Sequence, residues 1–132
     1  MDMKSLFNLN GKVAFVSGGA TGIGRMATEA MVMAGASVFI ASRKGSVCSA
    51  VAEEINKKGY IGKVDSFDGD LSTEEGVSLV ANEIQRRTKV LHILMNNAGR
   101  SWGAPLGSFP YSAWEKVMSL NVAGVFSLTQ LL

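Results

Sequence analysis

A single cysteine, Cys48, rules out an intramolecular disulfide framework and fits a reducing compartment, where its expected role is that of a small packing residue. The first residues, Met1-Asp2-Met3-Lys4-Ser5-Leu6-Phe7, hold no apolar core of the length a secretory signal needs. Long hydrophobic runs are missing too. The longest uncharged stretches, 30–41 and 117–132, are broken by Gly35 and Ser37 in one and by Asn121, Ser127, Thr129 and Gln130 in the other. Both fall short of a transmembrane span. Neither sign of charge dominates: 13 Lys and Arg stand against 11 Asp and Glu, scattered along the chain. Nothing here offers the basic patch that a nucleic-acid partner requires. With no repeat, low-complexity tract or linker, the 132 residues are expected to form one domain at most, soluble and cytoplasmic.

What is present is an alternation of short apolar runs with amphipathic stretches. Strands are expected at 12–17, 37–41, within 63–67 and at 91–95. A helix is expected over 23–34, with Ile23, Ala27, Ala30, Met31 and Ala34 on one face, and another on Val47, Val51 and Ile55. A third is marked by Val77, Val80, Ala81 and Ile84, with Ser72 and Glu75 at capping-box spacing. A last helix begins near Ser112. This βαβαβαβα order predicts an α/β fold with a doubly wound parallel sheet, right-handed crossovers and helices on both faces. In such sheets a ligand sits beyond the carboxyl ends of the strands.

Chemistry-bearing residues fall at those ends. The first strand breaks into Ser17-Gly18-Gly19-Ala20-Thr21-Gly22-Ile23-Gly24. Glycines permit a sharp turn and close backbone approach, and a helix N-terminus can hold a pyrophosphate. Gly18, Thr21, Gly22, Ile23 and Gly24 are therefore candidate cofactor contacts. The second strand ends Ala41-Ser42-Arg43-Lys44, where many NAD-binding domains carry a carboxylate for the ribose 2′-hydroxyl. Ser42 can donate to a phosphate and Arg43 can clamp one, which favours NADP(H); the plainer reading makes Arg43 and Lys44 a solvated cap. After the third strand, Asp70 can accept from an adenine amino group with Leu71 flanking the ring, or simply cap the next helix. Asp65, Asp68 and Asp70 lack the spacing of a calcium loop, so no metal is expected.

Three motifs coincide in order. The glycine turn resembles the cofactor turn of the short-chain dehydrogenase/reductase family, with Ser17 where threonine is usual. Asn96-Asn97-Ala98-Gly99 matches that family's fourth-strand motif, and Asn121 in Ser119-Leu120-Asn121-Val122 its helical asparagine. The stretch from Ser101 to Val122 is most similar to β-ketoacyl reductases of the rhamnolipid-biosynthesis type. The resemblance implies a Rossmann-type NADP(H)-binding fold, reduction of a carbonyl or oxidation of a secondary alcohol as the activity, and a homo-oligomer for an intact parent. It also implies cofactor contacts at Asn97, Ala98 and Gly99 and a supporting role for Asn121 in a kinked helix and a proton relay. Read from the residues, 97–99 are either small residues admitting a ribose or an ordinary turn. Asn121 lies on a stripe with Trp114, Val117, Val125, Leu128 and Leu132, so a buried amide that must find partners is expected; a purely structural asparagine is the alternative. His92, beside Ile93 and Leu94, reads as a core or sheet-face residue rather than a base.

The family's chemistry uses a serine and a Tyr-x-x-x-Lys pair downstream of that asparagine. Tyr60 has Val64 four residues on and Tyr111 has Glu115, so neither fits. The expectation is that 1–132 form the N-terminal portion of such a domain, about four strands and four helices, truncated and inactive alone. A non-catalytic NADP-binding or interaction module is the alternative. A methyl-donor site on a similar sheet is a third reading, opposed by Asn96-Asn97-Ala98-Gly99.

Overall fold

A computed structural model describes residues 3–132. A short helix α1 (Met3–Leu6) precedes β1 (Val13–Ser17), α2 (Gly22–Met33), β2 (Ser37–Ser42), α3 (Gly45–Lys57), β3 (Lys63–Asp68), α4 (Glu74–Arg87) and β4 (Ile93–Met95). Helix α5 (Tyr111–Met118) runs through a π-helical segment (Ser119–Gly124) into α6 (Val125–Leu131). The four strands form one parallel sheet in the order β3-β2-β1-β4.

The alternation along β1 and β2 sorts side chains onto two cores, as a two-residue period must. Ala14, Val16, Val38 and Ile40 face one side, where α2 and α3 supply Val32, Val51 and Ile55. Phe15 and Ala41 face the other, against Val77, Val80, Ala81 and Ile84 of α4 and Leu128 of α6. Phe15 stacks on Phe67 with ring centroids 5.9 Å apart. The Arg87 guanidinium then lies 5.0 Å from the Phe67 ring and 5.8 Å from that of Phe39, and pairs with Asp65 on the edge strand. Strand β1, paired on both sides, is the most deeply placed element.

Three local expectations change. The buried face of α2 is Gly24, Thr28 and Val32, whereas Ile23 is 72% exposed. The close helix–strand approach selects small residues for the contact, so an apolar stripe misreads the face. Helix α4 is capped by Thr73, whose hydroxyl accepts from the Gly76 N–H at 3.1 Å, and not by Ser72. Ser72 instead donates from both its backbone N–H and its hydroxyl to Asp70 Oδ1, at 2.9 and 2.6 Å, closing the turn before the helix. His92, expected in the core or on the sheet face, precedes β4 and is exposed; its Nδ1 accepts from the Val13 N–H at 3.0 Å. It pins the start of β1, a structural role. Among the described residues no helix is long and apolar enough to cross a membrane.

Candidate nucleotide site

The junction from β1 to α2 sets the geometry. Gly18 and Gly22 adopt φ of +64° and +52°, a region L side chains avoid. These two residues carry the chain out of the sheet and back into a helix within a few positions. The turn is hooked down from behind: fully buried Thr28 places its hydroxyl 2.8 Å from the Gly24 carbonyl and 3.1 Å from that of Gly19. A Cβ at Gly24 would stand 2.3 Å from Asn97 Nδ2 and 2.4 Å from the Gly18 carbonyl oxygen, so only glycine allows α2 this close. Thr21, the residue before α2, makes no side-chain cap, and no acidic residue lies in the first turn. The positive end of the helix is thus left for an anion.

Strands β1 and β4 are fastened at the same end. The buried Ser17 hydroxyl accepts from the Asn97 and Ala98 N–H groups, both at 2.9 Å, and lies 3.4 Å from the Met95 carbonyl. Asn97 Nδ2 donates back to the Ser17 carbonyl at 2.9 Å and reaches that of Gly18 at 3.2 Å. The amide side chain therefore supports the glycine turn directly. Leaving opposite sides of β1, the turn and the β4 loop open a cleft of about 480 Å³.

Gly18 and Thr21 form its floor on the helix side, Asn97, Ala98 and Gly99 the wall after β4, and Ser42, Arg43, Asp70 and Leu71 the far end. Nine of the residues singled out in the sequence thus meet in one concavity. Ile23 points to solvent, while Gly22 and Gly24 shape the turn without lining the cleft. Sequence reading passed over Ala20, Val47, Gly69 and Leu120, which with Ala41 and Lys44 complete the lining. It also missed Thr28, for which the only available signal is a hydroxyl four residues after a glycine within a helix.

Ser42 ends β2 and is followed by Arg43 and Lys44 with no acidic residue; Asp68, in register with Ser42 on β3, approaches Gly45 and does not line the cleft. Arg43 is exposed and enters no hydrogen bond or salt bridge among the described residues. Asp70, at the same end of the cleft, is partly buried. Burial opposes its ionisation, but the Ser72 hydrogen bonds and the fields of Arg43 and Arg100 prevail, holding the carboxyl below its ordinary 3.8. It stays an acceptor at neutral pH. The donor set fits an adenine dinucleotide carrying an extra phosphate: a helix N-terminus on one side, and at the far end a hydroxyl and a free cation together with a carboxylate and its apolar neighbour.

Asn121 lies outside the cleft lining and is exposed, contrary to the expected buried amide. Its partners are nevertheless complete: Oδ1 accepts from the Arg100 N–H and Nδ2 donates to the Arg100 carbonyl, both at 2.9 Å. Of the expected stripe Leu128 is buried as read, but the wide turns of the π segment break the 3.6-residue period, and Ala113 and Gly124 are the other buried positions. Gly124 meets Leu71 backbone to backbone; a Cβ there would lie 2.2 Å from the Leu71 carbonyl oxygen.

Fold and site together define a doubly wound α/β domain with a nucleotide-type cleft at its switch point. The family model for short chain dehydrogenases matches residues 12–132, and the chain belongs to that family. It is 43% identical over 128 residues to the rhamnolipids biosynthesis 3-oxoacyl-(acyl-carrier-protein) reductase of Pseudomonas aeruginosa, covering 97% of this chain and 49% of that protein. It is 36% identical over 122 residues to the 3-oxoacyl-(acyl-carrier-protein) reductase FabG of Aquifex aeolicus, covering 92% and 49%. Among solved structures, the RhlG/NADP active-site complex of Pseudomonas aeruginosa matches with a TM-score of 0.89 at 44% identity, over 96% of this chain and 48% of that one. The chain spans about half the length of the curated relatives it matches.

Proposed function

We propose that residues 1–132 form the NADP(H)-binding portion of a short-chain oxidoreductase that reduces a carbonyl, of the 3-oxoacyl class, to a secondary alcohol. The observation that carries the cofactor choice is the segment leaving β2, where Ser42, Arg43 and Lys44 line the cleft and Asp68 of the neighbouring strand does not. In this reading the first turn of α2 holds the pyrophosphate, Ser42 and Arg43 the 2′-phosphate, and Asp70 with Leu71 the adenine. Residues 97–99 admit the ribose. The bound nucleotide would supply the hydride. The substrate class rests on the 3-oxoacyl reductases named above, and a cytosolic location on the lone, buried Cys48.

The asparagine that belongs to the family's active-site helix is Asn121. Its bonds to Arg100 tie the loop after β4 to the π segment, and we assign it a positioning role there. The chain carries no Tyr-x-x-x-Lys, the acid and its partner. Mixed with NADPH and a 3-oxoacyl thioester, the 132-residue chain is therefore expected to bind NADPH more tightly than NADH yet oxidise it only at background. Absorbance at the nicotinamide band follows turnover and fluorescence titration follows binding. Turnover above background overturns the inactivity, and equal affinity for the two nucleotides overturns the cofactor reading.

A second reading, a non-catalytic module that pairs with another subunit, is favoured by one feature. Tyr111, Trp114, Val122 and Phe126 are all more than half exposed along α5, the π segment and α6.

A further inference from the structure

Beneath the end of β2 lies a hydrogen-bonding arrangement that the nucleotide reading alone does not use. Cys48, in the first turns of α3, is fully buried, and its thiol donates to Ser42 Oγ at 3.2 Å. The same oxygen accepts from the Lys44 N–H at 3.2 Å. A hydroxyl has two acceptor positions and one proton. Both acceptor positions of Ser42 are therefore taken from below and from the side. Its proton has one partner among the described residues, the Lys44 carbonyl at 3.3 Å. That is long against the roughly 2.5–3.0 Å of a good O–H···O bond. Ser42 lines the cleft beside Arg43, so the proton is the one hydrogen-bonding capacity it can turn toward a ligand.

We propose that Cys48 is a positioning residue that fixes the polarity of Ser42, making this hydroxyl a donor-only contact at the end of β2. Such a contact takes a phosphate, which offers acceptors alone, over a ribose hydroxyl, which also needs somewhere to put its own proton. With the thiol removed, Ser42 regains a free lone pair and accepts from a hydroxyl as readily as it donates to a phosphate. Discrimination between the two then shrinks without any change in the residues that touch the ligand. The inference rests on the proposed reading of this cleft as the 2′-phosphate site.

The test is a fluorescence titration of the whole chain with NADPH and with NADH, reading the ratio of the two dissociation constants. Cys48→Val keeps the packing and loses the donor, and is expected to lower the NADPH preference about three- to tenfold, the scale of one hydrogen bond. Cys48→Ala replaces it if the valine variant does not fold. Cys48→Ser keeps a donor and should hold the ratio within about twofold of the parent. In a Ser42→Ala background Cys48→Val should change the ratio no further. A ratio unmoved by Cys48→Val or Cys48→Ala overturns the proposal, as does a serine variant that behaves like valine, since packing would then be the cause. A parent chain with no NADPH preference fails earlier and separately: it removes the 2′-phosphate reading itself, and this inference with it.

Discussion

At the scale of single residues, the cleft, in its proposed reading, separates groups that would meet a ligand from groups that hold them in place. Arg43 belongs to the first kind, a guanidinium exposed and without a salt bridge among the described residues. Replacing it with aspartate exchanges a phosphate clamp for a carboxylate suited to a hydroxyl. Arg43→Asp should weaken NADPH binding about tenfold or more, the scale of a charge-assisted pair, and leave NADH unchanged or tighter. Paired titrations read this, and an unchanged preference refutes the clamp. Gly24 belongs to the second kind. Alanine normally improves a helix, but here its methyl would meet a backbone carbonyl and the Asn97 amide. Gly24→Ala should therefore destabilise the fold by about 1–3 kcal/mol, measured by urea unfolding. The cleft-lining residues at strand ends were legible in the sequence, because a turn at the end of a buried run is a positional statement. The supporting residues were not. Thr28 and Ser17 matter through partners that only the folded chain brings near.

Elements show the same division. Strands β1 and β2 and the face of α4 were readable from periodicity, because burial on both sides of a sheet leaves an unbroken apolar run; the edge strand β3, Lys63–Asp68, mixes polar and apolar residues and gives a weaker signal. Periodicity failed where a helix touches backbone rather than side chains. On α2 the contact selects Gly24 and Thr28, so the apolar count points to the wrong face; along α5–α6 it selects Gly124, while Leu128 of the expected stripe is buried as read. Helix α4 also carries a measurable electrostatic term. Bonds from Arg86, then Arg87, lower the Glu83 carboxyl from its ordinary 4.5 to about 2. The folded value lies below the unfolded one, so the folded chain takes up this proton less readily. The stabilisation is complete above about pH 4.5 and is lost as pH falls toward 2. Because the pair is partly solvated, its worth is about 1 kcal/mol or less. Glu83→Gln should flatten the acid limb of a stability–pH curve between those values and lower the plateau slightly. An unaltered acid limb counts against the Glu83–Arg pairs.

For the whole molecule, the sheet order β3-β2-β1-β4 leaves β4 paired on one side only among the described residues, next to the half-exposed apolar stripe of α5–α6. That surface is larger than isolated apolar residues explain and suits association. Sedimentation at rising concentration should show a shift from monomer to dimer, which Trp114→Glu and Phe126→Glu together abolish. A strictly monomeric parent removes the interaction reading. Domain-scale architecture was visible early, since strand–helix alternation admits few topologies. The sequence could not show which flank each loop leaves from, because that depends on crossovers completed over tens of residues.

The cleft exists because the chain departs from one side of β1 after Ser17 and returns to the other side at β4. It is a gap between two diverging paths, and no lining residue was needed to dig it. Changes to its lining therefore alter what the opening prefers, whereas only a change to the strand order can close it. A lineage keeping this wiring could exchange Ser42, Arg43 or Asp70 one at a time and still have a place for a ligand at every step.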